Sequence, residues 1–158
     1  MKKRTLLSMF VLITFFQVSA QKLEQDKETK RWHYTHVFKI KDVSANEIYK
    51  RILNNYITRS NIIQSKEENK KIVLRYQFRL GTFKHGRITE TFDVKEGRLR
   101  WRISDIVYLK SVTSLSKFKK LDETSDKSII KKVNKLIPQG VNDIENKIVN
   151  ATLENDDW

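Results

Sequence analysis

The chain has 158 residues, with 32 Lys+Arg against 19 Asp+Glu and a formal net charge of +13. It contains no cysteine, four glycines and one proline. This composition excludes disulfides, zinc–thiolate sites and cysteine nucleophiles, and no glycine-rich phosphate-binding motif occurs in the sequence. The length suits one small domain rather than two.

The first 20 residues have the pattern of a secretory signal peptide. Basic residues at positions 2–4 precede an apolar run from Leu6 to Phe16, and small residues lead up to Ala20. The apolar run is well short of the roughly 20 residues that span a bilayer. We therefore expect cleavage after Ala20 and export to the periplasm or the cell surface. The mature chain would keep 29 Lys+Arg against 19 Asp+Glu, a net charge of +10, and no transmembrane segment.

The next segments predict a leader, a strand and a helix. Residues 21–31 are polar and lack periodicity, which indicates a flexible leader. From Trp32 to Ile40 apolar and polar residues alternate, which is typical of a strand with one buried face. Ser44 and Glu47 form a capping-box pattern at the start of a helix whose apolar positions extend to Ile57.

Four further strands follow the first helix. The first covers residues 61–65, and the other three show long alternation, with Glu96-Gly97 predicted as a hairpin turn. The residues expected on the inner face are Ile72, Leu74, Tyr76, Phe78 and Leu80, then Ile88, Glu90, Phe92 and Val94, and finally Leu99, Trp101 and Ile103.

A long amphipathic segment closes the chain after a polar connection over 111–127. Its apolar residues, from Ile130 to Ala151, recur every three or four positions. This spacing predicts one helix that kinks at Pro138, or two collinear helices. Residues 154–158 are read as an acidic tail.

The predicted element order is β-α-β-β-β-β-α. Consecutive strands joined by short turns indicate an antiparallel sheet, and two amphipathic helices require its single apolar face. The predicted fold class is therefore α+β, a two-layer structure with both helices on one face, in a single domain over 32–153.

One segment carries a resemblance to a known family. Lys95–Ile106 resembles the basic hairpin of an exported bacterial domain-of-unknown-function family with a TATA-box-binding-protein-like (TBP-like) fold. Residues 47–51, followed by 62–64, are similar to the first helix and second strand of that family. Glu96 stands where the family usually has Asp, and Leu99 where it often has an aromatic residue. The resemblance covers roughly Tyr34 to Ser111 and implies this layout, export and no established activity, and the fold alone does not imply DNA binding.

The clearest candidate site is a basic sheet face. Between Lys70 and Arg102 the chain has ten Lys/Arg and three Asp/Glu. The candidate binding residues are Arg75, Arg79, Lys84, Arg98, Arg100 and Arg102. Guanidinium groups suit bidentate contacts with phosphate or carboxylate, so we expect an anionic lipid, glycan or protein surface as partner, and not nucleic acid. The alternative is a solvated face whose arginines pair with neighbours such as Asp93 and protect edge strands from aggregation.

Three polar residues fall on the apolar face of their strands. His36, Glu90 and Asp105 share the inward parity. If the first strand lies beside the last, as the resembled fold implies, His36 and Asp105 could approach each other. The alternatives are a hydrogen-bonded core pair, or a bulge at residues 104–105 that turns the carboxylate outward. Because no nucleophile with its own base can be named, we expect no catalytic site and no enzyme.

Two further questions concern ligands. His33 and His36 lie on opposite faces of a strand and His85 has no second ligand nearby, so neither a metal nor a cofactor is predicted. The main interpretation is an exported, non-enzymatic binding module. The alternative is a helix-grip-like carrier of a lipid or other hydrophobic ligand, in which the terminal helix closes an apolar cavity. That cavity would be lined by Trp32, Tyr34, Phe38, Tyr76, Phe78, Phe92 and Trp101.

Overall fold

The computed structural model describes residues 21–57, 61–81, 84–109, 119–120 and 127–151. The predicted signal peptide, residues 1–20, and the predicted tail, residues 154–158, lie outside the described residues. Most of the predicted polar connection over 111–127 also lies outside them.

Seven strands and two helices make up the described part of the chain. The strands are β1 Glu24–Gln25, β2 Trp32–Lys39, β3 Asn61–Glu67, β4 Lys71–Gly81, β5 Lys84–Lys95, β6 Arg98–Leu109 and β7 Lys119–Lys120. The helices are α1 Ala45–Arg51 and α2 Lys127–Ile144, which continue into π-helical turns over Ile52–Tyr56 and Glu145–Val149 respectively. Neither described helix combines the length and the apolar character needed to cross a membrane.

The strands form one antiparallel sheet in the order β1-β2-β6-β5-β4-β3, and β7 pairs with β6. β2 lies beside β6, with Tyr34 opposite Ile103 and Lys39 opposite Arg98. The turn between β5 and β6 contains Gly97 at a φ of 64°, the left-handed conformation that favours glycine. The predicted α+β fold, its antiparallel sheet and this hairpin turn are confirmed.

Alternation along the strands separates a buried face from an open one. On β6, Leu99, Trp101 and Ile103 are at most 1% exposed, whereas Arg98 and Arg100, on either side of Leu99, are exposed. Successive side chains of a strand point to opposite faces, so the sequence alternation becomes a division between core and solvent. The inward residues predicted for β4, β5 and β6 lie on the buried face wherever their side chains are described.

Helix α2 covers this inner face and is continuous across Pro138. Its buried stripe consists of Ile129, Val133, Ile137, Val141 and Ile144, and Ile148 extends it into the π-helical turn. The predicted stripe began at Ile130, which is only half-buried. Gly140 brings the helix backbone against Trp101, because a Cβ at Gly140 would lie 2.4 Å from Cη2 of the indole.

The start of α1 follows half of the predicted capping box. The Ser44 hydroxyl accepts a hydrogen bond from the Glu47 backbone N–H at 3.1 Å. Glu47 does not reach back to Ser44. Its carboxylate instead accepts from Arg51 Nε at 2.7 Å, and the first helical N–H donates to the Glu96 carboxylate at 3.0 Å. Nη1 of the same Arg51 side chain donates to the backbone carbonyl of Ile148, in the second π-helical turn, at 2.9 Å. Arg51 therefore joins the two helices.

Residues 21–31 differ from the predicted flexible leader. Leu23 is only 4% exposed, and its N–H donates to Asn134 Oδ1 of α2 at 2.7 Å. β1 pairs with β2, and the Asp26 carboxylate accepts from the Thr29 N–H at 2.7 Å to close the intervening turn. This ordering was not predicted from the sequence, because a single apolar residue in a polar segment produces no periodicity. The position of Leu23 depends on a tertiary contact with α2.

Trp101→Ala is expected to lower the free energy of unfolding by about 3–5 kcal/mol, because it empties a fully buried site beneath α2. Val37→Ala on the opposite face, where Val37 is 52% exposed, is the control and should change stability by no more than about 0.5 kcal/mol. Denaturant unfolding measures both. A loss below about 1 kcal/mol for Trp101→Ala would contradict the assignment of the two faces.

Gly140→Ala should destabilise the protein by about 1–3 kcal/mol, since the new methyl group must displace either α2 or the Trp101 ring. This loss is expected although alanine favours helices over glycine by about 1 kcal/mol. Lys135→Ala, at an exposed position of the same helix, should be nearly neutral in the same thermal or denaturant melts. A stabilised Gly140→Ala variant would show that the helix does not approach the indole this closely.

Candidate functional site

The outer face of the sheet carries most of the cations of the strands. Both helices pack on the other side, so this face is open to solvent. Its cations among the described residues are Lys39, Lys71, Arg75, Arg79, Arg87, Lys95, Arg98, Arg100 and Arg102, and its carboxylates on β5 and β6 are those of Asp93 and Asp105.

The cations are densest where the β5–β6 hairpin meets the end of β2. We call Lys39, Lys95, Arg98, Arg100 and Arg102 the hairpin-end cluster. Lys39 lies opposite Arg98, which lies opposite Lys95, and all three are exposed. Side chains directly opposite in an antiparallel sheet have Cβ atoms about 4.5–5.5 Å apart, and like charges at that spacing destabilise the pairing. A bound anion would relieve this repulsion.

Asp93 neutralises part of the cluster. Its Oδ2 accepts from Arg100 Nε at 2.9 Å and from Arg102 Nη2 at 2.8 Å. Burial alone would raise the pKa of Asp93, but the hydrogen bonds and charges of the two arginines outweigh it and hold the pKa below its ordinary value. The predicted pairing of arginines with Asp93 is therefore present, yet one carboxylate serves two guanidinium groups that remain 51% and 40% exposed.

The other predicted residues lie elsewhere on the face. Arg75 is opposite Thr89. Burial, and to a smaller extent the charge of Arg75, lowers the pKa of Arg87. Arg79 lies opposite His85 in the β4–β5 register, close to the turn that joins these two strands. The side chain of Lys84 lies outside the described part of the chain. The structure thus gathers Arg98, Arg100 and Arg102, and it leaves Arg75 and Arg79 apart from them.

Sequence reasoning missed two members of the hairpin-end cluster. Lys39 and Lys95 occupy outward positions of their strands, and this parity could have placed them on the basic face. The proximity of Lys95 to Arg98 follows from the β5–β6 hairpin, whereas that of Lys39 requires the pairing of β2 with β6, which joins strands far apart in the chain.

The structure also contains a groove that the sequence analysis did not predict. It has a volume of about 520 Å³ and runs between the turn after β1 and the outer side of β6. Arg31, Arg100 and Arg102 line it together with Asp26 and Asp105. The groove was missed because its first wall belongs to the segment expected to be flexible.

His36 and Asp105 do not form the acid–base pair that was considered. Asp105 has a φ of 47° at a break in the β5–β6 register, so the chain bulges and its carboxylate is exposed on the outer face. His36 has the inward parity, and its ring packs 4.6 Å from that of Phe38. The alternative of a bulge that turns the carboxylate outward is confirmed.

Glu90 is a buried carboxyl group on the inner face, with 5% of its surface exposed. The Tyr56 hydroxyl donates to Glu90 Oε1 at 3.1 Å. Burial raises the pKa of Glu90 to about 7, although Tyr56 and the indole N–H of Trp101 partly offset this rise. The Trp101 N–H faces the carboxyl group without full hydrogen-bond geometry, and it is a buried donor with no partner among the described residues.

A cavity of about 210 Å³ lies beside Glu90, between the sheet and α2. Of the seven aromatic residues proposed to line a carrier cavity, Tyr76 and Trp101 line this one. Sites for drug-sized ligands usually measure about 300–1,000 Å³, so this cavity suits a smaller molecule than a lipid.

The histidines and carboxylates do not assemble into a metal centre in the described part of the chain. Within those ranges no group of three His, Asp or Glu side chains could hold a metal ion. His33 and His36 are three positions apart and have opposite parity on β2, as their spacing indicated.

Glu90 is expected to make stability depend on pH. Its pKa of about 7 lies above the ordinary 4.5, so the folded state binds the proton more tightly than the unfolded state. The free energy of unfolding should therefore fall as pH rises from about 4.5 to about 7, by about 1.4 kcal/mol for each unit of the pKa difference. Glu90→Gln should remove this component, which comparison of urea unfolding at pH 5 and pH 8 measures.

Asp93→Asn, on the opposite face of the same strand, is the matched control for Glu90→Gln. The pKa of Asp93 is lowered, so its contribution is present above the ordinary value of 3.8 and is constant between pH 5 and pH 8. The free energy of unfolding of this variant should be lower than that of the unchanged protein by the same amount at both pH values. Parallel pH profiles for Glu90→Gln and the unchanged protein would refute the role assigned to Glu90.

Comparison with known proteins identifies the fold. No family model matches the sequence, and no curated protein matches it. The chain is similar in structure to a TBP-like protein from Parabacteroides distasonis, at 16% identity, with a TM-score of 0.63 and coverage of 81% of this chain and 99% of that chain. It is also similar to a DUF4468 family protein from Bacteroides ovatus, at 14% identity, with a TM-score of 0.59 and coverage of 85% and 93% respectively. The fold of the chain is TBP-like, and its predicted likeness to bacterial domains of unknown function with this fold is confirmed at the level of structure.

Proposed function

We propose that this protein is an exported, non-enzymatic binding module whose outer sheet face binds an anionic partner. The observation that carries the proposal is the row formed by Lys39, Arg98 and Lys95. Within the described ranges no carboxylate lies at ion-pair distance from any of these three side chains. Their mutual repulsion is therefore relieved by solvent or by an anion from outside.

The geometry of the face suits anionic groups such as phosphate, sulfate or carboxylate. Residues two apart on a strand lie about 6.8 Å from each other, so Arg98, Arg100 and Arg102 present guanidinium groups at regular intervals. Each guanidinium can form two parallel hydrogen bonds with such an anion. Asp93 holds two of the three in place, which reduces the side-chain entropy lost on binding.

Two observations support a binding role rather than catalysis. The His36 imidazole and the Asp105 carboxylate, the pair considered for acid–base chemistry, lie on opposite faces of the sheet. The structurally similar proteins are described only as a TBP-like protein and a DUF4468 family protein, and neither description names an activity.

The signal-peptide pattern of residues 1–20 supports export as part of this proposal. In the periplasm or at the cell surface, the anions available to a chain of net charge +10 include lipid headgroups, acidic glycans and protein surfaces. Charge attraction would raise the rate of encounter with all of these, and salt would weaken it.

The test compares two variants with the same net charge. Replacing Arg75, Arg98 and Arg100 together by serine removes three charges from the outer face. Replacing Lys131, Lys132 and Lys135 by serine removes three exposed charges from α2 in the other layer. Since each exposed ion contact contributes about 0.2–1 kcal/mol, we expect the outer-face variant to lose about tenfold in affinity for heparin or for vesicles rich in phosphatidylglycerol. The α2 variant should retain most of the affinity.

Column retention and vesicle co-sedimentation at increasing salt measure these affinities. Equal losses in the two variants would mean that net charge, and not the outer face, drives association. Binding that persists unchanged after the three arginines are removed would overturn the proposal.

A further inference from the structure

The cavity beside Glu90, named here the Glu90 pocket, is distinct from the outer face. It lies on the inner side of the sheet, where β4, β5 and β6 meet α2. The π-helical turns that extend both helices flank it, because Tyr56 of the first turn and Lys147 of the second are among its lining residues. Such turns widen the helical backbone and are frequent at functional sites.

The carboxyl group of Glu90 has no cation beside it. Within the described ranges no lysine or arginine nitrogen lies within 4.0 Å of its oxygens, and its one full hydrogen bond comes from the Tyr56 hydroxyl. A buried carboxylate without a counter-ion is costly. The next inward residue of the same strand, Phe92, is apolar and fully buried, so a carboxyl group at position 90 departs from the apolar character of this layer.

Two donors are already directed at this group. The burial of Tyr56 and the nearby charge of Glu90 raise the pKa of the phenol, so the hydroxyl keeps its proton and donates. The Trp101 indole N–H faces the same carboxyl group, is buried and lacks a partner among the described residues. An unpaired buried donor is unfavourable, and a small movement toward an ionised Glu90 would satisfy it. These two donors offset part of the cost of ionising the buried Glu90, and a cation in the pocket would offset the rest.

The remaining lining favours a positive charge over a negative one. The aromatic rings of Tyr56, Tyr76 and Trp101 contribute to the walls, and such rings attract cations over their faces. Asp143 of α2 adds a second, half-buried carboxylate. Lys147 is the lysine of the lining and is exposed, so its ammonium group can remain in water.

We propose that the Glu90 pocket binds a small organic amine in its protonated form, with the Glu90 carboxylate as counter-ion and the aromatic rings as walls. The volume of about 210 Å³ limits the ligand to a compact molecule. An anion would be opposed by Glu90 and Asp143, and a neutral alcohol would leave the carboxylate unmatched. The net charge of the chain repels cations in general, so binding of an amine would report this pocket and not a diffuse field.

Isothermal titration calorimetry of the purified protein with butylammonium, tetramethylammonium and butanol tests this proposal. Butanol has nearly the shape of butylammonium and no charge. At pH 8 we expect the ammonium compounds to bind and butanol not to bind. Butylammonium keeps its proton at pH 5, whereas Glu90, with a pKa of about 7, becomes neutral, so binding there should be up to about 100-fold weaker. Asp143, Tyr56, Tyr76 and Lys147 are the other titratable groups facing Glu90 across the pocket.

Variants locate the site. Glu90→Gln should abolish binding of butylammonium at pH 8, and Glu67→Gln, an exposed carboxylate on β3 that pairs with Lys70, should leave it unchanged. Asp143→Asn, at a half-buried position of α2, should weaken it severalfold and keeps the test decisive if Glu90→Gln does not fold. Equal binding of butanol and butylammonium, no binding of either ammonium compound, or unaltered binding by both Glu90→Gln and Asp143→Asn would each overturn the proposal.

Discussion

The burial of Trp101 beneath α2 decides which face of the sheet is closed and which is open. Its indole, 1% exposed, fills the space under the helix at the point where Gly140 allows a close approach. Because neighbouring side chains on β6 point to opposite faces, Arg100 and Arg102 are then directed into solvent. The basic outer face is therefore a consequence of how the core is packed.

On the strand β5, two carboxyl groups differ in their pKa because they lie on opposite faces of the sheet. Glu90 and Asp93 are three residues apart and lie on opposite faces. Burial without a cation raises the pKa of the first, whereas two arginines lower that of the second despite its burial. On the outer face a carboxylate organises surplus cations, and on the inner face a carboxyl group lacks one. The two proposed binding sites follow from these opposite imbalances of charge.

Much of this fold could be predicted from local patterns. Alternation placed Leu99, Trp101 and their neighbours inward, and the Ser44 cap and the Gly97 turn follow from requirements within a few residues. Contacts between distant segments could not be predicted in this way. The docking of Leu23 on Asn134 orders a segment that has no periodicity of its own. The resemblance to a TBP-like family supplied the β2–β6 pairing, which local patterns alone do not determine.

The candidate sites were likewise predictable from local patterns only in part. The outward parity of Arg98, Arg100 and Arg102 was readable from the sequence, whereas their grouping with Lys39 needed the sheet order. The inward parity of Glu90 was also readable, but the cavity beside it depends on how α2 and the π-helical turns sit on the sheet.

Labelling of arginine side chains in the folded protein tests the division of the sheet into two faces most directly. The reactivity of each arginine with phenylglyoxal can be followed by mass spectrometry. Arg100, whose side chain is 51% exposed, should react at a rate close to that of the unfolded chain, and so should the exposed Arg98. Arg51, with a side chain 10% exposed between the two helices, should be strongly protected. Protection of Arg98 and Arg100 equal to that of Arg51 would place the helices on the basic face and contradict this account.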